Sequence, residues 1–211
     1  MALDSYANLQ ASIMDWLARP ADPLISGVIP DLILMFEEEA RDRLKTRFNE
    51  VKGSILPLPN SDTTPLPLDY YQMRRVWITE SWGNADLLYQ TPTNLDSMWS
   101  LQGNQAAYTV EGLNLRTVGN SGDTPSPINI DYQQGITGLS SAVPTNWLLA
   151  NYPSLYLFGS LVFAEPYIGD DPRIALWVQQ REATFERVQL TDRKARWPGG
   201  SLCIQTDTGN P

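Results

Sequence analysis

The chain has 211 residues, of which 42% are hydrophobic and 18% charged, and its formal net charge is −9 at pH 7. These values predict one compact domain, or a domain with one sizeable insertion, rather than a disordered chain. Histidine is absent and Cys203 is the single cysteine. This excludes His-dependent nucleophile systems, four-ligand zinc sites and an internal disulfide framework. We therefore predict a non-catalytic protein with no metal and no cofactor. Because the longest apolar stretch, Leu32 to Phe36, is far too short to span a bilayer, we also predict no membrane partner.

Residues 1–52 are predicted to form two N-terminal helices of a helical body. The first helix carries one apolar face, made of Leu9, Ile13 and Leu17. Pro30 is predicted to begin the second helix, where its missing N–H costs nothing. The acidic run 37–39 would then lie in the first turns and interact favourably with the helix dipole. We favour that structural role over a metal or acid–base site.

Residues 53–144 differ in composition from the N-terminal segment, since they are rich in Pro, Gly, Ser, Thr and Asn. Alternating apolar residues predict strands over 75–79 and 127–132. A hairpin is predicted over 107–118, with Glu111-Gly112 as its two-residue loop. A short helical turn is predicted over 93–101. This segment is interpreted as a small antiparallel β insertion between helical segments.

Residues 145–188 return to a helical pattern and are predicted to complete the body. Pro153 is expected to open a helix that runs to about Tyr167, and Asp171-Pro172 is a typical start for the last helix. Apolar residues in these helices recur at spacings of three and four, which gathers them on one face. The predicted body core consists of Leu155, Phe158, Val162, Ile174, Trp177, Phe185 and Val188.

Residues 189–211 are predicted to form an extended, partner-binding tail. The apolar period stops at Val188, and four bases against two acids over 187–211 reverse the charge of the preceding chain. So few apolar residues cannot offset the entropy of ordering such a segment alone. The residues predicted to contact this partner are Arg193, Lys194, Arg196, Trp197, Leu202 and Ile204. The complete fold prediction is α+β and mainly α: a helical bundle body, a small antiparallel β insertion and this tail.

Two other functions remain open from the residues themselves. Seven Trp and nine Tyr suit a carbohydrate-binding surface as well as a protein interface. A two-carboxylate glycoside hydrolase needs no histidine, and Glu165, Asp170 and Asp171 lie near aromatic residues. Because Asp171 is explained as a helix cap, catalysis is the weakest of these interpretations.

The order of these elements resembles the head–tail adaptor family of tailed bacteriophages and gene transfer agents. The segment 144–161, PTNWLLANYPSLYLFGSL, and the turn 167–173 that follows it carry most of the resemblance. Further similar pieces are 66–71 leading to 75–78, 108–113, 128–132 and 201–204. One departure is that the strand ending at Tyr132 is followed by Gln133-Gln134-Gly135 rather than by a longer aromatic strand.

The resemblance implies a structural virion protein rather than an enzyme, and it points to the portal or a neighbouring adaptor as the partner of the tail. The alternative from another class is a carbohydrate- or host-surface-binding tail module. Members of that family form a ring, usually of twelve subunits, beneath the portal, and they join the capsid to a tail or neck protein on the distal side. The ring extends the channel through which viral DNA passes without sequence-specific binding. The acidic body agrees with this role, because repulsion from phosphates disfavours trapping of DNA. Before assembly, such a protein is expected in the host cytoplasm.

Overall fold

A computed structural model describes residues 3–19, 22–81, 83–99, 107–118, 126–169 and 171–196. It divides into two compact units. The first comprises the described parts of Met1–Arg47 and Thr137–Pro211, and the second those of Phe48–Ile136. The second unit is therefore inserted into the chain of the first.

Helices and strands alternate in blocks along the chain. The helices are α1 (Tyr6–Trp16), α2 (Pro23–Arg43), α3 (Pro92–Trp99), α4 (Trp147–Asn151), α5 (Pro153–Val162), α6 (Glu165–Ile168) and α7 (Ile174–Arg196), with a 3₁₀ turn at Arg47–Asn49. The strands are β1 (Glu50–Ile55), β2 (Thr63–Pro65), β3 (Tyr70–Glu80), β4 (Gly83–Asp86), β5 (Leu88–Tyr89), β6 (Ala107–Glu111), β7 (Asn114–Val118) and β8 (Ile128–Gln134).

The first unit is helical, and α2, α5 and α7 form its centre. Phe36 of α2 packs edge-to-face against Tyr156 of α5, with ring centroids 5.0 Å apart, and lies 6.3 Å from the ring of Phe185 of α7. Helix α1 adds Leu9 and Ile13, both fully buried. The apolar faces of four helices thus meet in one core, which is the arrangement that amphipathic helices require.

The second unit is built from two four-stranded sheets, with strand orders β1-β8-β3-β4 and β2-β7-β6-β5. All pairs are antiparallel except β5 with β6. The hairpin of β6 and β7 turns through Gly112, whose φ of 61° is readily adopted by glycine. Buried side chains from both sheets form one cluster, which includes Val76, Leu115, Ile128 and Ile130.

The prediction of a mainly helical fold with a small β insertion is wrong. Eight strands in two complete sheets form a substantial unit of their own within the described chain. The strands predicted at 75–79 and 127–132 and the hairpin at 107–118 are confirmed, and the predicted helical turn is confirmed as far as Trp99, since residues 100 and 101 lie outside the described residues. The predicted loop Glu111-Gly112 is wrong by one residue, because Glu111 pairs with Asn114 and the loop is Gly112-Leu113. The strands that were not predicted are short or polar. Strand β1 has the sequence EVKGSI, and it is ordered by pairing with β8, which lies almost 80 residues later in the chain.

Three predicted helix boundaries also change. Helix α2 begins at Pro23, capped by the carboxylate of Asp22, and Pro30 lies inside it. The helix predicted from Pro153 to about Tyr167 ends at Val162 and is followed by the separate turn α6. Helix α7 continues beyond Val188 to Arg196, so 189–196 are helical rather than extended.

Among the described residues, no helix is both long and apolar enough to cross a membrane.

Candidate functional site

The most buried carboxylate among the described residues of the helical unit is that of Glu37 on α2. The residue is only 2% exposed. Its Oε1 atom accepts hydrogen bonds from the backbone N–H of Leu139, at 2.8 Å, and from the hydroxyl of Tyr156, at 3.0 Å. The Tyr156 hydroxyl in turn accepts from the side-chain amide of Asn146, at 2.6 Å. One carboxylate therefore fastens α2 to α5 and to the segment that returns from the inserted unit.

Burial raises the pKa of Glu37 above its ordinary value, although the hydrogen bonds from Leu139 and Tyr156 and the positive charge of Arg41 act in the opposite direction. Burial and the charge of Glu37 together raise the pKa of the Tyr156 phenol, so at neutral pH this hydroxyl keeps its proton and donates it. The pair is thus suited to holding structure in place. A phenol of raised pKa is a poor proton shuttle at neutral pH.

The packing around Glu37 leaves little free volume. A Cβ atom at Gly159 of α5 would lie 2.1 Å from Cδ2 of Phe36, and one at Gly138 would lie 3.1 Å from Oε2 of Glu37. Real Cβ atoms do not approach other atoms as closely as the first value, so glycine is required where α5 crosses the Phe36 ring. The interior of the helical unit is therefore a rigid support.

Ion pairs link α2 and α7 at the border of this interior. Glu39 accepts from Arg43, at 2.7 Å, and from Arg181, at 3.0 Å. Glu182 accepts from both Arg43 and Arg181, and the hydrogen bond from Arg43 lowers the pKa of Glu182. Each pair is partly exposed and contributes little alone. The four pairs form one network, and two of them, Arg43–Glu182 and Arg181–Glu39, join the two helices and fix their relative position.

The end of α7 is held by a second buried carboxylate. Asp192, which is 9% exposed, accepts from the backbone N–H of Arg47 at 2.9 Å and from Nε of Arg196 at 2.7 Å. Arg193 and Lys194 are exposed beside it. Three of the six residues predicted to bind a partner, Arg193, Lys194 and Arg196, therefore share the last turn of an anchored helix. The other three lie outside the described residues: Trp197, Leu202 and Ile204.

The predicted core residues occupy α5 and α7 and differ in depth. Leu155, Trp177, Phe185 and Val188 are at most 2% exposed. The three half-buried members of the predicted set are Phe158, Val162 and Ile174. Phe158 packs edge-to-face on Trp16 of α1, with centroids 5.5 Å apart, so it covers the end of α1 at the rim of the core.

The described carboxylates that were candidates for glycoside hydrolysis do not form an acid–base pair. Asp171 forms hydrogen bonds to the backbone N–H and the guanidinium of Arg173, and these lower its pKa. Glu165 is exposed at the start of α6, and Asp170 lies outside the described residues. Within the described part of the chain, no group of three or more His, Cys, Asp or Glu could hold a metal ion.

The prediction that Glu37 lies in the first turns of its helix is wrong. Because α2 begins at Pro23, Glu37 is its fifteenth residue and faces the core. A signal for it exists in the sequence, since Ile29, Ile33, Phe36 and Ala40 place position 37 on the buried face. An acid on such a face requires hydrogen-bond donors, and these come from residues more than one hundred positions away.

The arrangement thus consists of a rigid helical core and an anchored basic helix end, which suits a protein that binds other proteins. No curated protein matches the sequence. A family model described as SU10 adaptor protein matches residues 4–202, which is nearly the whole chain. This protein therefore belongs to the SU10 adaptor protein family, a family of phage head–tail adaptors, and its role is that of a structural adaptor of the virion.

Proposed function

We propose that this chain is the subunit of a ring of about twelve copies, which lies beneath the portal of a tailed phage and joins the capsid to the tail. The observation that carries the proposal is the family match over residues 4–202. A ring needs two different contact surfaces on each subunit, held at a fixed angle. The core fastened by Glu37 and the α2–α7 ion pairs supports that requirement, because it fixes the exposed helix faces relative to each other.

The portal-binding surface is proposed to begin at the last turn of α7 and to continue into the residues after it. Arg193, Lys194 and Arg196 supply positive charge, and Trp197, Leu202 and Ile204 supply apolar groups for a groove on the portal. The buried carboxylate of Asp192 supports this assignment, because it fixes the direction in which the chain leaves the helical unit. A tail or neck protein binds the opposite side of the ring.

The lumen of the ring is proposed to continue the DNA channel. The chain carries 24 acids against 15 bases, so its surface repels phosphates over most of its area. Such a wall lets DNA pass without sequence-specific binding. The subunits are expected in the host cytoplasm until they assemble into virions.

The test is to mix the full-length chain with its portal protein and to examine the product by native mass spectrometry and negative-stain imaging. The proposal predicts a ring that caps the portal. A chain that leaves portals uncapped but binds glycans would instead support the tail-module alternative, and robust catalytic turnover abolished by one Asp or Glu substitution would refute the structural role.

A further inference from the structure

Helix α2 exposes an acidic and apolar face opposite its buried one. This α2 stripe comprises Leu24, Asp31, Met35, Glu38 and Asp42, which recur at spacings of seven, four, three and four. All five are exposed, Leu24 by 78% and Met35 by 47%, and Leu34 beside them is 52% exposed. Large apolar side chains left in water on one helix face are typical of a contact surface.

Helix α7 exposes a face of opposite charge. This α7 stripe comprises Leu176, Gln180, Ala183, Arg187, Leu190 and Lys194, at alternating spacings of four and three. All six are exposed, with Leu176 at 51% and Leu190 at 52%. Arg193 adds a third positive charge next to the stripe, and Glu186 is the acid beside it. Alternating four and three is the spacing of a helix–helix seam, and Ala183 at its centre permits close approach.

The two stripes also run in a compatible direction. Inside the unit, α2 and α7 are parallel where they meet, because Glu39 contacts Arg181 and, further along both helices, the carbonyl of Arg43 accepts from the side-chain amide of Gln189. Neighbours in a ring of twelve are rotated by only about 30°. The α2 helix of one copy is therefore also nearly parallel to the α7 helix of the next.

Parallel alignment brings unlike charges together. When Leu24 is placed opposite Leu176, each α2 position meets the α7 position that is 152 residues later in the sequence. Met35 then faces Arg187 and Asp42 faces Lys194, while Asp31 and Glu38 lie on either side of Arg187. An antiparallel alignment would place the positive end of the α7 stripe against Leu24 instead. Charge complementarity therefore selects the parallel arrangement.

We propose that the α2 stripe of one subunit packs against the α7 stripe of the next subunit in the ring, and this inference rests on the proposed function. The occupant of each stripe is a second copy of this chain, since the same chain supplies both the acids and the cations. The contact is heterologous, so every subunit uses both stripes, and a rotation of about 30° between neighbours closes the assembly into a ring. The contact covers Leu24 of one copy with Leu176 of the next, and Met35 with the aliphatic part of Arg187, while Leu190 lies one turn further along, opposite Glu38.

Charge reversal and mixing test the pairing in full-length chains assembled on the portal protein. The first variant carries Asp31→Lys and Glu38→Lys, and the second carries Gln180→Glu and Arg187→Glu. Lys194 is left unchanged because it belongs to the proposed portal surface. Each variant alone brings like charges together and should lose at least about tenfold in ring occupancy. An equimolar mixture restores unlike charges at every contact and should recover the rings.

A control variant with Lys52→Glu and Glu165→Lys reverses one charge of each sign at exposed positions outside both stripes, and it should form rings like the parent chain. A disulfide test gives an independent measurement. With Cys203→Ser as background, Met35→Cys and Arg187→Cys should link neighbouring subunits into a ladder. Met35→Cys with Leu176→Cys should not, since those positions are offset by about 16 Å along the helix.

Each outcome decides between the two proposals. If the parent chain forms no ring on the portal, the proposed function fails and this interface fails with it. If the parent forms rings and both charge variants also do, the ring stands and the stripe pairing is wrong. Loss of rings in both variants without recovery in the mixture, or a ladder from the offset cysteine pair, likewise refutes the pairing.

Discussion

Removal of the Glu37 carboxylate should strongly destabilise the helical unit. In Glu37→Ala, the backbone N–H of Leu139 and the hydroxyl of Tyr156 both lose their acceptor inside the core. A buried donor without a partner costs about 1–3 kcal/mol, so two donors predict a loss of about 2–6 kcal/mol in the free energy of unfolding. Equilibrium urea denaturation at pH 7 measures this loss. A Glu37→Ala chain within about 0.5 kcal/mol of the parent would refute the role assigned to this residue.

Glu37→Gln separates the hydrogen bonds from the charge. Gln keeps an oxygen at the position that accepts from Leu139 and Tyr156, so this variant should retain most of the stability that Ala loses.

The stability of the parent chain also depends on pH through Glu37, whereas Glu37→Gln lacks this titration. Burial raises the pKa of Glu37 above its ordinary value of 4.5, so the folded chain holds this proton at pH values where the unfolded chain has released it. Stability of the parent relative to Glu37→Gln is therefore greatest below about pH 4.5 and falls as pH rises through the raised pKa. A flat difference between the two chains across this range would contradict the inferred burial of the charge.

Three further predictions concern the core and the surface. Trp177→Ala removes a side chain that is 1% exposed and should cost about 3–5 kcal/mol in urea denaturation; an unchanged denaturation midpoint would contradict its burial. Gly159→Ala places a methyl group on the Phe36 ring and should cost at least about 1–3 kcal/mol, whereas Gly27→Ala, where a Cβ meets no atom within 4 Å, should not destabilise. Assembled rings should bind duplex DNA weakly at physiological salt in an electrophoretic mobility assay, and tight binding with a steep salt dependence would refute the repulsive channel wall.

Local patterns in the sequence were sufficient to predict those strands and turns whose conformation depends mainly on their own residues. The strand Ile128–Gln134 alternates apolar and polar residues, and the hairpin around Gly112 has a loop that fits its turn, so both were predictable. Strand β1 was not, because its residues alternate weakly and its partner β8 is distant in sequence. The same reason applies to β2, which pairs with β7 about 50 residues later. The size of the β unit therefore depends on pairings that no local window contains.

The two buried carboxylates were missed for a related reason. Glu37 and Asp192 each interrupt an apolar helical face, and an acid at such a position normally marks the end of the face. Both are tolerated because donors arrive from distant segments: Leu139 and Tyr156 for Glu37, and Arg47 for Asp192. The apolar period of α7 therefore stops at Val188 while the helix itself continues. The resemblance to head–tail adaptors, by contrast, depends on the order of many short segments and was confirmed.

The extent of α7 makes truncation a sharp test of the proposed portal contact. A chain that ends after Val188 loses Asp192, so the backbone N–H of Arg47 loses its acceptor. A charged hydrogen-bond partner contributes about 1.5–3 kcal/mol, and this truncation should therefore destabilise the helical unit as well as remove the tail. Failure of that chain to cap portals would not distinguish the two effects.

A chain that ends after Arg196 keeps the whole of α7 and the contacts of Asp192 with Arg47 and Arg196. We expect its free energy of unfolding to equal that of the full-length chain. It lacks Trp197, Leu202 and Ile204, which are the apolar groups proposed to enter the portal, so it should cap portals far less well in native mass spectra. Arg193→Glu in the full-length chain provides the matched test of the basic turn, with Lys194 unchanged because it also faces Asp42 of the neighbouring subunit in the proposed stripe pairing. Normal capping by the chain ending at Arg196 would show that residues 197–211 are dispensable for docking, and normal capping by the charge variant would remove the last turn of α7 from the proposed surface.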